Sequence, residues 1–153
     1  MTQMTLLFVY QPPKLLLGMK KEGLGMGYWN GFGGKVSAGE SIEAAAVREL
    51  EEEAGIKPLD PQLRGIVDAQ NAHGEEQVRF HIFLSSRYTG VIRGSKEMEP
   101  KWFDQHELPW DKMWPDDPYW YPLLLAGKKF KAKFIIKDHK KVLEHSVEEV
   151  TTL

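Results

Sequence analysis

Residues 34–56 have the sequence GKVSAGESIEAAAVRELEEEAGI, the most informative stretch of the chain. The stretch starts in a glycine-rich loop. Ser41 follows, and a serine side-chain oxygen can cap the first turn of a helix. Gly55 can adopt the left-handed conformation that ends a helix, because glycine has no Cβ to clash. We therefore predict a helix over residues 42–54, with Glu43 near its positive end.

Three glutamates fall on one face of this predicted helix. At about 100° per residue, Glu49, Glu52 and Glu53 lie within about 100° of one another. Like charges at these spacings repel by a few tenths of a kcal/mol per pair, and a bound cation would relieve that repulsion. A solvated acidic face is the alternative interpretation. If a cation binds, ligands that are all oxygen atoms favour Mg²⁺, with Mn²⁺ as a substitute, over zinc.

The apolar positions of the same helix should face the sheet. Val47, Leu50 and Ala54 form a stripe beside the acidic face, and we predict that this stripe is buried. Ala45 and Ala46 flank the acidic face. Their small side chains are expected to leave the approach to the carboxylates open.

Composition indicates one globular domain spanning residues 1–153, with a net charge of -2 that offers no general attraction to nucleic acid or to an anionic membrane. The chain has no cysteine, which suits a reducing compartment, and we expect a cytoplasmic protein. No apolar run approaches the roughly 20 residues of a membrane helix. We expect a monomer without a stable nucleic-acid complex.

Strand patterns surround the predicted helix. Short apolar or alternating segments predict strands at 4–10, 15–19, two or three within 64–93, around Trp102, and in the C-terminal tail. The proline-bounded segment 114–120 is predicted to be a loop that leads into a second helix. Strands mixed with two helices far apart in sequence predict an α/β fold in which helices pack on the faces of a mixed sheet.

The glycine-rich loop, residues 22–34, contains six of the fourteen glycines. Such a loop lets the backbone approach a ligand closely, although turn geometry alone could also explain it. A phosphate-binding P-loop is excluded, because Lys35 is followed by Val36 instead of serine or threonine. The chain also lacks the GxGxxG pattern of a Rossmann nucleotide site.

The spacing of Gly34, Glu40 and the segment 48–56, RELEEEAGI, matches the pattern GX5EX7REUXEEXGU, and the chain thus resembles the Nudix family. That resemblance implies an α/β/α sandwich that hydrolyses nucleoside diphosphate derivatives with divalent metals. It implies three metal ligands that also carry catalysis: Glu49, Glu52 and Glu53. It also implies a metal-binding backbone carbonyl at Gly33 or Gly34, and bracing roles for Arg48 and Glu40.

Two further segments, 29–35 (WNGFGGK) and 111–125 (DKMWPDDPYWYPLLL), resemble the mammalian MutT-homologue type of oxidised purine nucleoside triphosphatase within that family. This resemblance implies cleavage of 8-oxo-dGTP and 2-hydroxy-dATP to the monophosphate and pyrophosphate, by attack of water on the α-phosphorus. Either Glu53 or Glu52 could be the base. The positions that match the substrate-binding residues are Asn30, Trp114, Asp116 and Asp117, with Thr5, Leu24 and Met98 lining the pocket and Lys20 near the phosphates. Glu97 matches an additional acid near the metals.

The chemistry of these side chains suits the recognition of a purine. Asn30 carries a donor and an acceptor, and Trp114 offers a flat face on which a base can stack. If Asp116 and Asp117 face one pocket, one of them should keep a proton at neutral pH, so the pair could both donate and accept. The alternative is that these two aspartates cap a helix beside Pro115.

Three positions depart from the pattern of this type of enzyme. Ala69 and Asn71 stand where aromatic rings would be expected, and Leu24 replaces another. The cleft should be wider or more polar. The alternative is another substrate, either a triphosphorylated or capped RNA 5′ end or an alarmone. A third hypothesis, a non-catalytic nucleotide sensor, predicts a broken set of acids, but the set is complete.

The C-terminal tail carries a lysine strip, defined as Lys128, Lys129, Lys131, Lys133, Lys137, Lys140 and Lys141. It could contact a nucleic-acid backbone, but we favour the solvated side of an edge strand, where lysine discourages aggregation. The five histidines show no metal-ligand spacing and were assigned no role.

Overall fold

A computed structural model describes residues 1–74 and 76–153 of the chain. The strands are β1 Thr2–Gln11, β2 Lys14–Lys20, β3 Trp29–Asn30, β4 Ile56–Leu59, β5 Gln62–Asn71, β6 Gln77–Ser85, β7 Arg87–Gly90, β8 Met98–Asp104, β9 Lys129–Lys137 and β10 Lys141–Val150. The helices are α1 Ile42–Ala54 and α2 Asp117–Leu125, with a short 3₁₀ helix at Trp110–Lys112. Among the described residues, no helix is long and apolar enough to cross a membrane.

The main sheet has eight strands in the order β10-β9-β5-β6-β1-β2-β3, with β8 also paired to β2. The pairs β1–β6 and β5–β9 are parallel, whereas β1–β2, β2–β8, β5–β6 and β9–β10 are antiparallel. Strands β4 and β7 form a separate two-stranded antiparallel sheet. The sheet is therefore mixed, as the sequence predicted.

Strand β1 shows how the two faces of the sheet are covered. Its side chains alternate, because successive residues of a strand point to opposite faces. Leu6 and Phe8 pack in a core cluster with helix α2, while Leu7 and Val9 pack in a second cluster with helix α1. All four side chains are buried. The helices thus lie on opposite faces, and the predicted α/β/α sandwich is confirmed.

Helix α1 has the bounds and caps that the sequence predicted. The Ser41 hydroxyl oxygen accepts a hydrogen bond from the Ala44 N–H at 3.1 Å. At the other end Gly55 has a φ of 74°, and its N–H donates to the Glu51 carbonyl at 2.9 Å. Both ends of the helix are therefore defined by local chemistry.

The buried face of α1 differs from the prediction. Ala45 and Ala46 are fully buried, and Ala46 packs in the α1-side core with Leu50 and Ala54. Val47 is only half-buried. The expectation that the two alanines leave the acidic face open was wrong, because the sheet contacts an arc of the helix that is rotated toward them. Small residues there allow the helix to approach the sheet closely.

The start of helix α2 and the position of the lysine strip also differ from the prediction. Helix α2 begins at Asp117, inside the segment predicted to be a loop, because a proline at position 118 is compatible with the first turn of a helix. The lysine strip lies mainly on β9, which is paired on both sides, whereas the edge strand at this end of the sheet is β10. Cross-strand pairing places Lys131 opposite Glu148, so β10 brings acidic residues beside the strip.

Candidate active site

A cavity of about 460 Å³ opens between β1, the glycine-rich loop, β5, the segment before α2 and the β9–β10 turn. All eight predicted substrate-binding residues line it: Thr5, Lys20, Leu24, Asn30, Met98, Trp114, Asp116 and Asp117. Gly33 and Glu53 of the predicted metal site line it as well. The structure thus brings together residues that are more than a hundred positions apart, in a cavity of the size of a small-molecule site.

Glu53 links helix α1 to this cavity. Its side chain is only 3% exposed, and its Oε1 accepts the Gly33 N–H at 2.8 Å. Burial, helped by the nearby Glu49 carboxylate, raises the pKa of this carboxyl to about 8. A buried carboxylate with this raised pKa is one that a positive charge would stabilise.

Arg48 connects the other acids around the helix. Its guanidinium donates to Glu40 at 2.7 Å, to Glu49 at 3.1 Å and to Glu52 at 3.2 Å. The hydrogen bond from Arg48 lowers the pKa of Glu40, while burial raises the pKa of Glu49. Arg48 and Glu40 therefore tie the loop before α1 to the helix, as the sequence analysis expected.

The acids around α1 fit an oxygen-liganded cation in their chemistry, although not in their present side-chain positions. Among residues 1–74 and 76–153, no three acidic or histidine side chains converge as a metal site. Glu52 is 57% exposed and engaged by Arg48, and Glu97 is exposed. The Glu97 carboxylate nevertheless lies close enough to contribute to the raised pKa values of Glu49 and Glu53. Metal binding would require rotation of the Glu49 and Glu52 side chains away from Arg48.

Gly33 and Gly34 let the backbone pass close to these carboxylates. A Cβ at Gly33 would overlap the main-chain oxygen of Thr5, and one at Gly34 would lie 2.6 Å from Glu49 Oε1. The Gly34 carbonyl accepts the Thr5 N–H at 2.9 Å. No hydrogen bond to the Gly33 carbonyl occurs within the described part of the chain, which makes Gly33 the better candidate for a carbonyl ligand.

Asp116 and Asp117 form a buried acid pair at the start of α2. They are 9% and 2% exposed. Asp116 Oδ2 accepts the Trp120 Nε1–H at 2.9 Å, and Asp117 Oδ2 accepts the Trp114 N–H at 3.2 Å. The Asp116 side chain makes no capping hydrogen bond, so helix capping does not explain its burial.

The ionisation of this pair is strongly perturbed. Burial raises the pKa of Asp116, and burial together with the Asp116 charge raises the pKa of Asp117 well above its usual value. Burial also raises the pKa of the neighbouring Tyr121 hydroxyl, which therefore remains a donor. A protonated carboxyl beside an ionised one can both donate to a base and accept from it.

Asn30 and Thr5 offer polar groups to a ligand. Asn30 Oδ1 accepts the Gly31 N–H at 2.8 Å and lies 3.5 Å from the Tyr121 hydroxyl. The Asn30 amide NH₂ donates to no group in the described part of the chain and is available to a ligand. Thr5 is fully buried, and its hydroxyl also has no partner among the described residues. Buried polar groups usually have hydrogen-bond partners, so the unpaired Thr5 hydroxyl in the cavity wall indicates a polar ligand.

The cavity contains residues that sequence reasoning missed. Tyr28 of the glycine-rich loop and His139 of the β9–β10 turn both line it and contact Trp114. His139 was set aside because the histidines lack metal-ligand spacing, and only knowledge of the sheet order could have placed its turn beside Trp114. Ala69 and Asn71 do line the cavity, and Leu24 is 72% exposed at its edge.

Comparison with known proteins agrees with this geometry. A family model described as the NUDIX domain matches residues 3–124. The oxidized purine nucleoside triphosphate hydrolases of Danio rerio and Mus musculus are each 44% identical to this chain, covering 98% and 95% of it and 96% and 94% of their own lengths. The solved structure of a MutT protein from Bacillus halodurans has a TM-score of 0.85 at 24% identity, covering 97% of this chain and 98% of that one, which supports the fold. By its sequence match, its fold and its acidic helix, the chain belongs to the Nudix family.

Proposed function

We propose that this protein hydrolyses oxidised purine nucleoside triphosphates, of the 8-oxo-dGTP and 2-hydroxy-dATP type, to the monophosphate and pyrophosphate. The observation that carries the proposal is that the cavity lined by Glu53 of helix α1 also contains the buried pair Asp116 and Asp117. The two vertebrate relatives, whose names state hydrolysis of oxidised purine nucleoside triphosphates, support the substrate class over nearly their whole lengths.

Base recognition follows from the groups that line the cavity. Trp114 supplies a stacking surface, and the Asn30 amide supplies a donor. The acid pair Asp116 and Asp117 presents one donor and one acceptor when it shares a single proton. An 8-oxo or 2-hydroxy group changes which edge atoms of a purine donate and accept, so a pair with both functions can bind either base.

The proposed cofactor is Mg²⁺, with Mn²⁺ able to substitute, held by Glu49, Glu52, Glu53 and the Gly33 carbonyl. Such a cation neutralises triphosphate charge and lowers the pKa of an attacking water when it is bound. Glu97 is proposed to add negative charge at the edge of this site, and Lys20, which lines the cavity, to contact the phosphates.

Glu53 is the better candidate than Glu52 for the base that accepts the proton from water. Glu53 lines the cavity and is held by the Gly33 N–H, whereas Glu52 is half-exposed and paired with Arg48. Geometry decides first between candidate bases, because the base must reach the proton that it removes.

The Glu53→Gln variant tests this assignment. Glutamine retains an oxygen that can accept the Gly33 N–H, so the fold should persist while kcat falls by at least ~100-fold. Glu51→Gln is the matched control, because Glu51 lies on the same helix, is exposed, and has only a long ion pair with Lys57 at 3.8 Å. Near-normal turnover by Glu53→Gln with Mg²⁺ would contradict the proposed role.

A second substrate class, RNA 5′-triphosphate ends, is favoured by one observation. The cavity wall carries Ala69 and Asn71 in place of large rings, and Leu24 leaves its edge open. Values of kcat/KM for 8-oxo-dGTP and a triphosphorylated RNA separate the two classes. We propose that the protein acts as a monomer in the cytoplasm on free nucleotides, consistent with its lack of cysteine and its net charge of -2.

A further inference from the structure

The Trp114 ring is held between two other aromatic rings, each on a different surface segment. Tyr28, in the glycine-rich loop, lies with its ring centroid 5.3 Å from that of Trp114 at an interplanar angle of 82°. His139, in the β9–β10 turn, lies at the same centroid distance with an angle of 84°. Edge-to-face contacts of this kind are the geometry that aromatic pairs prefer. Two loops that are distant in sequence therefore both contact the indole ring.

His139 occupies a backbone position that favours a different residue. Asp138 and His139 have φ values of 53° and 58°, and the Lys140 N–H donates to the Lys137 carbonyl at 3.0 Å. Positive φ at both central residues is the pattern of a type I′ turn, in which glycine is preferred at the second position. A histidine there carries a conformational cost, while its ring lines the cavity. An unfavourable backbone residue with a side chain in the binding cavity points to a function for that side chain.

The turn that carries His139 is anchored to the neighbouring strands. The Ala72 N–H donates to the Ile136 carbonyl at 2.9 Å, which joins the end of β9 to the turn after β5. Ile136, the second-to-last residue of β9, also lines the cavity. An additional ion pair between His73 and Asp138 is long, at 3.9 Å, and exposed, so it contributes little. The backbone hydrogen bond therefore anchors the end of β9, the strand that leads into the turn with His139.

We infer that His139 is a positioning residue for base recognition: together with Tyr28, its ring holds Trp114 in the orientation on which the purine base stacks. This inference rests on the proposed function and adds a residue to it. The carboxylates proposed to act on the triphosphate lie on helix α1, and His139 contacts none of them in the described structure. Loss of the ring should therefore weaken binding of the base while leaving the chemical step nearly unchanged.

Three variants test the inference. His139→Gly removes the ring and favours the turn, so thermal stability should be equal or higher. The Kd for 8-oxo-dGMP, measured by calorimetry without metal, and the KM for 8-oxo-dGTP should both rise about 3- to 10-fold, the range expected for one aromatic contact. The kcat should stay within about 2-fold. His139→Phe keeps a ring and should recover most of the affinity.

Asp138→Gly is the matched control, because it relieves the neighbouring positive φ without touching Trp114. Its Kd and KM should equal those of the wild type. The inference is overturned if His139→Gly binds 8-oxo-dGMP as tightly as the wild type, if His139→Phe is no better than His139→Gly, or if Asp138→Gly loses as much affinity. Failure of the proposed function is distinct, since the wild type would then neither bind 8-oxo-dGMP nor hydrolyse 8-oxo-dGTP, and both proposals would fall.

Discussion

Replacing Asp117 with asparagine removes one ionisable group from the buried acid pair while keeping the shape of the side chain. Asp117 is 2% exposed, and burial, together with the Asp116 charge, holds its pKa well above the usual value of 3.8. The asparagine oxygen can still accept the Trp114 N–H, which Asp117 accepts at 3.2 Å. The substitution therefore removes the titration of Asp117 with little change in packing.

The sign of the effect follows from the raised pKa. A carboxyl whose pKa is higher in the folded than in the unfolded protein stabilises the fold below the unfolded value, and that stability is lost as the pH rises toward the folded value. For Asp117 the loss is at most ~1.4 kcal/mol per pH unit for one proton. Asp117→Asn lacks this dependence. Its free energy of unfolding should resemble that of the wild type near pH 4 and exceed it increasingly at higher pH.

Urea unfolding followed by tryptophan fluorescence between pH 4 and 9 measures this difference. Each kcal/mol should also appear as a rise of about 2–4 °C in Tm. Asp111→Asn, at an exposed position in the 3₁₀ helix, is the control and should change stability by less than ~0.5 kcal/mol at every pH. The reasoning is refuted if wild type and Asp117→Asn have parallel stability profiles.

The stabilised variant should also lose at least ~10-fold in kcat/KM for 8-oxo-dGTP, because its side chain can no longer share a proton with Asp116.

The two glycines beside the acidic helix should respond differently to the same added methyl group. Gly33→Ala should lower the free energy of unfolding by about 3 kcal/mol or more, because its Cβ would overlap the main-chain oxygen of Thr5, and chemical denaturation measures this loss. Gly34→Ala should fold with a Tm near that of the wild type but lose at least ~10-fold in kcat, because its Cβ would displace the flexible Glu49 carboxylate 2.6 Å away. Equal stability of the two variants would contradict this difference.

The elements with strong local signals were predictable from the sequence. Helix α1 has its observed bounds because Ser41 and Gly55 act through neighbouring backbone groups, without help from the rest of the fold. The eight positions predicted to bind substrate are implied by resemblance to a family, and the structure places them in one cavity. What the residues bind stays a proposal, since cavity lining alone does not identify a ligand.

Features that depend on tertiary packing were not predictable. The burial of Ala45 and Ala46 depends on the rotation of α1 against the sheet, which periodicity does not determine when alanines flank both faces. The hydrogen bonds from Arg48 to Glu49 and Glu52 depend on side-chain conformations, which the sequence pattern does not determine. His139 reaches Trp114 only because β9 pairs with β5 in parallel, a non-local contact without a sequence motif.

The central claim is that the protein prefers an oxidised purine triphosphate to the normal one. An equimolar mixture of 8-oxo-dGTP and dGTP, incubated with the protein and Mg²⁺, measures the ratio of their kcat/KM values directly when both monophosphates are followed by chromatography. We predict that 8-oxo-dGTP is consumed at least ~10-fold faster, as expected when buried polar groups discriminate between hydrogen-bonding edges. Consumption of the two nucleotides at equal rates would contradict the account.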